Sequence, residues 1–140
     1  MTHRLRSRPR PVARVQRATG RDRGSSSVEV VVLLPLVLLL LFAMVQGGLW
    51  FHARAVALGA AQEGARVAAA ENSTAGAGIA AATSFVADAG PGVVLDPAVA
   101  GSRSTTTATI SVTGQAQSLI PFLNPAVVQS ASFPVERISP

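Results

Sequence analysis

From Val30 to Val45 the chain presents sixteen consecutive residues without a polar side chain, and this run divides everything around it. No period of 3.6 or 2 is visible inside the run, because every position is apolar. Length therefore has to assign it. Extended to Val28 on one side and Phe51 on the other, the segment holds twenty-four residues. As a helix it would span about 36 Å, enough for a hydrocarbon layer of ~30 Å with some tilt. The pattern predicts a single membrane-spanning helix. Pro35 falls inside it and is expected to kink it, its missing N–H freeing the carbonyl near Val31, a defect that membrane helices accommodate by local adjustment. Gln46-Gly47-Gly48 lies toward the far end, and Trp50 and Phe51 fall where an interfacial aromatic belt would sit.

Beyond Phe51 the pattern changes twice. FHARAVALGAAQEGARVAAA is rich in alanine and favours helix. His52, Gln62, Glu63 and Arg66 share one side of a helical wheel, but Arg54 does not, so the amphipathicity is weak. Two readings of the alanines stay open: a surface for close helix packing, or an exposed helix of good propensity. Asn72-Ser73-Thr74 and the glycines at 76 and 78 are expected to interrupt this helix. A second short helix is expected over 79–89, ended by Ala89-Gly90-Pro91-Gly92. Asn72-Ser73-Thr74 also fits a glycosylation acceptor, a pattern too short to weigh much.

Between Arg103 and Thr113, Ala108, Ile110 and Val112 alternate with Thr107, Thr109, Ser111 and Thr113, which predicts a strand. A second extended run over 126–138, with Val127, Val128, Phe133, Val135 and Ile138, is expected to pair with it antiparallel, and Val93-Val94-Leu95 is a candidate third strand. Two or three strands are marginal alone, so they are expected to pack against the helix leaving the membrane. The fold class is α+β: one membrane helix extending into an alanine-rich helix, a small helix and a short antiparallel β region. The expected organisation is a basic leader over 1–24, a membrane helix over 25–51 and a small extracytoplasmic domain over 52–140.

Charge sharpens this division. The whole chain carries +5, yet eight of its twelve basic residues precede Gly24 and all twelve are arginine. From Ser25 onward, four arginines against six carboxylates leave −2. Arginines packed before an apolar segment resist translocation, which holds that end in the cytoplasm and sends the other across. Residues 1–23 have too little apolar surface to offset chain entropy and are expected to be disordered. A nucleic-acid interface would need its basic residues on a folded surface, and none is expected. Cleavage by an ordinary signal peptidase at Ala53-Arg54-Ala55 is a weaker alternative, since the apolar run exceeds the usual ~7–15 residues.

Catalytic constellations are lacking. His3 and His52 have no metal-ligand partner at helical spacing, no nucleophile-elbow pattern accompanies the serines, and Gly76-x-Gly78 lacks a third glycine. The chain has no cysteine, which removes disulfides, thiolate nucleophiles and cysteine metal sites. Neither enzyme, cofactor nor small-molecule substrate is expected.

What remains is Glu29, a carboxylate at the head of the apolar run, where an ionised group is costly. With Gly24-Ser25-Ser26-Ser27-Val28-Glu29 behind a basic leader, this junction resembles the class III signal peptides of prepilins and pseudopilins. Within that group SSSVEVVVLLPLVLLLLFAMVQGG is similar to the TadE-like branch of tight-adherence (Flp-type) pilus proteins, carried by Val28-Glu29, Pro35, Gly47, Gly48 and AAQEGARVAAAE. The likeness is concentrated over about 24–70 and extends loosely to TTATISVTG and SASFPVERI. Val30 stands where relatives often have an aromatic residue. The resemblance implies cleavage between Gly24 and Ser25 by a prepilin peptidase. It implies partners among membrane lipid, other pilins or pseudopilins and the pilus assembly platform, and a role as a minor pilin or pseudopilin in the cytoplasmic membrane. Glu29, fifth in the mature chain, would then pair with the amine of a neighbouring subunit and set register. The reading from another class is a single-pass, membrane-anchored extracytoplasmic binding module, which genomic neighbours would discriminate.

Overall fold

The computed structural model describes the backbone of residues 23–136 and the side chains of 28–136. The arginine-rich leader up to residue 22 lies outside the described residues, as does Ile138. Two units are distinguished, one ending at Val37 and one beginning at Leu38. The observed elements are helix α1, Arg23–Ala69; helix α2, Ala75–Asp88; and strands β1, Val94–Arg103; β2, Thr107–Ala116; and β3, Ala126–Pro134. A long N-terminal apolar helix, a small second helix and a three-stranded antiparallel sheet of order β1-β2-β3 make the fold α+β.

In the first unit α1 is helical from Arg23 and continues unbroken through Pro35. Its described apolar side chains, Val28 to Val37, are exposed.

In the second unit the apolar side chains from Leu38 to Val45 are likewise exposed, and the pattern changes at Gln46. From there one face of α1 turns inward: Ala53, Ala57, Ala60, Ala61, Ala65 and Ala68 are fully buried. These positions recur at intervals of three and four, the stripe a helix needs to pack on one side. The alanines are thus a packing surface, and the surface is used within the chain. Small side chains let backbones approach closely. A Cβ placed on Gly64 would lie 2.6 Å from the carbonyl oxygen of Gly78 and 2.8 Å from the Cβ of Ala82, so α1 and α2 cross in near backbone contact.

That crossing explains where α2 begins. Gly76 and Gly78 lie inside it rather than in the interruption, and the helix starts four residues earlier than the expected Ile79. Asn72 takes a left-handed backbone (φ 58°) just past the end of α1, and the Thr74 side chain caps α2 by accepting from Ala77 N at 3.1 Å. Gly78 weakens helix propensity but is the residue that fits beneath α1.

The sheet covers the other side of the alanine stripe. Ala108, Ile110 and Val112 of β2 are fully buried, while Thr107, Thr109, Ser111 and Thr113 take the opposite face, as the alternation predicts. Ile110 is the largest side chain so buried. β3 pairs with β2 along its whole length, from Thr107 opposite Pro134 to Gln115 opposite Ala126. β1 is much longer than the expected Val93-Val94-Leu95, and Arg103 ends β1 rather than opening β2. Asp96-Pro97 interrupts the regular pairing of β1. In the fold it forms a bulge, with Leu95 opposite Gln115 and Ala98 opposite Thr113, one extra residue that an edge strand tolerates and Asp96 (φ 46°) accommodates.

Candidate functional site

Two places on α1 carry the features that the sequence singles out. The first is its start. Gly24 and Ser25 lie in the first turn of the helix, where backbone N–H groups have no intrahelical partner and fraying costs little. Glu29 follows within the same helix and is exposed, and no ion pair is recorded for it among the described residues. Gly24, Ser25 and Glu29 are thus adjacent along one helical segment; Pro35 lies further along the same element and does not approach them.

The second place is the polar end of the apolar run, where Trp50 is expected in an interfacial aromatic belt and Gln46 has no expected partner. The Gln46 side chain reaches the connection between β2 and β3: its Oε1 accepts from Leu119 N at 2.9 Å and from the Ser118 hydroxyl at 3.1 Å. One turn on, the Trp50 indole N–H donates to the Ala126 carbonyl at 3.3 Å. The Arg54 guanidinium stands 5.5 Å from the centre of the Trp50 ring, within cation–π range. An aromatic ring, a cation and an amide gathered at the end of an apolar helix match the chemistry of a membrane–water interface.

At the other end of the alanine stripe, Arg103 takes a role that sequence could not show. Its Nη1 donates to the carbonyls of Ala68 and Ala70, the latter at 2.8 Å, while Glu136 N donates to Ala69 O at 3.0 Å. Three carbonyls at the end of α1 are thereby satisfied by the last residue of β1 and the segment just after β3, and a cation faces the negative end of the helix dipole. Glu63 and Arg66, three residues apart, form an exposed ion pair at 2.7 Å. The hydrogen bond to Glu63, and after it the Glu63 charge, hold the Arg66 guanidinium above its ordinary pKa.

His52 is exposed, and among the described residues no group of three or more His, Asp or Glu is placed to hold a metal ion. His3 lies outside the described residues.

One helix among the described residues, Val28–Ala69, is long and apolar enough to cross a membrane. It carries a carboxylate at its head, a proline in its early turns and a small-residue face beyond. Residues 24–66 match the family model described as TadE-like protein. The TadE-like segment thus takes in Glu29, the whole apolar run, the Gln46–Arg54 cluster and the alanine stripe as far as Arg66. It stops before α2 and the sheet, so the looser likeness of TTATISVTG and SASFPVERI lies beyond the matched residues. Searches of the curated proteins and of the solved structures returned no match.

Proposed function

We propose that this chain is a non-enzymatic minor pilin or pseudopilin that takes part in assembling a tight-adherence (Flp-type) pilus or a related secretion apparatus. The observation that carries the reading is the TadE-like match over residues 24–66, which begins at Gly24 and contains the apolar helix with Glu29 at its head. A single pass anchors the chain in the cytoplasmic membrane, with the arginine-rich end in the cytoplasm and the α+β domain on the other side. A membrane prepilin peptidase cuts between Gly24 and Ser25 and removes eight arginines with the leader.

Glu29 then acts in assembly. In lipid an isolated carboxylate is costly, and the new α-ammonium of Ser25 on a neighbouring subunit, at similar membrane depth, neutralises it as helices bundle. The exposure of Glu29 and of the apolar side chains around it leaves that segment available for lateral contact with other subunits of the platform.

Determining the N-terminus of the membrane-extracted protein, by intact mass or sequencing, tests this directly. A mature chain beginning at Ser25 supports it; a full-length chain, or one beginning at Val56, overturns it.

A further inference from the structure

Between β2 and β3 the chain leaves the sheet, and the middle of the connection, Leu119-Ile120-Pro121-Phe122-Leu123, is apolar at every position. Its four large side chains are all exposed, Phe122 completely. Phe122 also adopts a left-handed backbone (φ 69°), which bulky residues avoid. A strained backbone that directs an aromatic ring away from the domain has no reward inside this unit. Concentrated apolar exposure of this kind marks a surface with an occupant.

Position identifies the occupant. β2 runs beside α1 in the opposite direction: Arg103, just before it, bonds the carbonyls of Ala68 and Ala70, Ile110 lies against Gly64, and Leu119, just after it, bonds Gln46. Gln46 is also where the exposed apolar side chains of Leu38–Val45 end. The apolar tip is therefore fastened at the level where the helix passes from apolar to polar surface.

Three of the four backbone N–H groups in the tip, all but that of Phe122, are hydrogen-bonded within the chain, which lowers the cost of scarce water. Leu119 N donates to Gln46 Oε1 at 2.9 Å, Ile120 N to the Ser118 hydroxyl at 3.0 Å and Leu123 N to Ile120 O at 3.2 Å. Pro121 has no N–H to satisfy. No charged residue occurs between Gln117 and Pro125.

We propose that Leu119–Leu123 inserts into the headgroup–acyl boundary of the bilayer leaflet facing the folded domain, as a second anchor beside the helix. The proposal rests on the reading of the apolar helix as a membrane span. A second anchor fixes which side of the domain faces the membrane, which a single helix passing through does not.

Because the chain has no cysteine, single substitutions Phe122→Cys, Ile120→Cys, Leu38→Cys and Ala80→Cys each place one environment-sensitive fluorophore on the full chain. The labelled proteins are reconstituted into phosphatidylcholine–phosphatidylglycerol vesicles and quenched by lipid-borne nitroxide or by aqueous iodide. Phe122 and Ile120 are expected to show several-fold stronger nitroxide quenching than Ala80 on α2, with blue-shifted emission and protection from iodide. If Leu38 is quenched by nitroxide while both loop positions behave like Ala80, the loop proposal falls and the span stands. Loop probes shielded from both quenchers mean that a second copy covers the tip, which also overturns it. If Leu38 escapes the lipid quencher, the span reading itself fails.

Discussion

At the scale of single residues, glycine has opposite meanings at different points along α1. Nothing lies within 4 Å of a Cβ added to Gly47, whereas a Cβ on Gly64 meets the backbone oxygen of Gly78 at 2.6 Å. Gly47→Ala should therefore leave the second unit's stability unchanged or raise it by about 0.5–1 kcal/mol through helix propensity. Gly64→Ala should lower stability by about 1–3 kcal/mol, because a backbone carbonyl cannot move aside as a flexible side chain can. Urea unfolding of the full chain in detergent, followed by proteolysis, measures both, and equal effects would refute the close crossing. Arg103 provides a second test at this scale. Arg103→Ala strips the donor from Ala68 O and Ala70 O at a helix C-terminus and should cost about 1.5–3 kcal/mol, the range for hydrogen bonds to charged groups, while Arg103→Lys should recover part of it.

Among the elements, α2 shows what pattern reading captures and what it misses. The alternation over β2 was decisive in sequence because one strand face is buried and the other solvated, so period 2 is written directly into residue type. The start of α2 was illegible because its two early glycines look like breakers until Gly64 is known to pack on Gly78. β1 was hidden for a related reason: Asp96-Pro97 signals a turn, and only the edge position of the strand allows a bulge there. The alanine face was ambiguous because alanine is both the best helix former and an interior residue. Gln46 carried a usable signal, a lone amide ending a sixteen-residue apolar run, but its partner lies over seventy residues away. Arg103 carried none. For α2 itself, the cap predicts that Thr74→Ala lowers stability by about 1 kcal/mol and Thr74→Ser by much less, with the loss appearing as faster amide exchange in its first turn.

For the whole molecule, α1 is used in two ways along its length. From Gln46 onward its small-residue face is occupied by α2 and the sheet, so those alanines are not free to bind another subunit. Lateral assembly contacts should therefore concentrate in the exposed apolar stretch headed by Glu29. On the proposed pilus role, Glu29→Gln is expected to leave membrane insertion intact while co-purification with assembly partners falls; unchanged recovery would argue against charge pairing. A matching expectation is that Ala57→Leu, which overfills the buried face, destabilises the folded unit by about 1–3 kcal/mol without altering membrane insertion, read by unfolding and by carbonate extraction.

The extra residue in β1 bears on growth. A sheet templates another strand best along an edge that is straight and offers its amides, and the bulge at Asp96 with Pro97 beside it breaks the start of one border. The border along β3 remains. Two copies meeting through that border alone would close on each other as a symmetric pair and leave nothing onto which a third could add. Strand addition across β3 alone would thus stop at two copies, and a repetitive array containing this chain would need contacts other than edge-to-edge pairing.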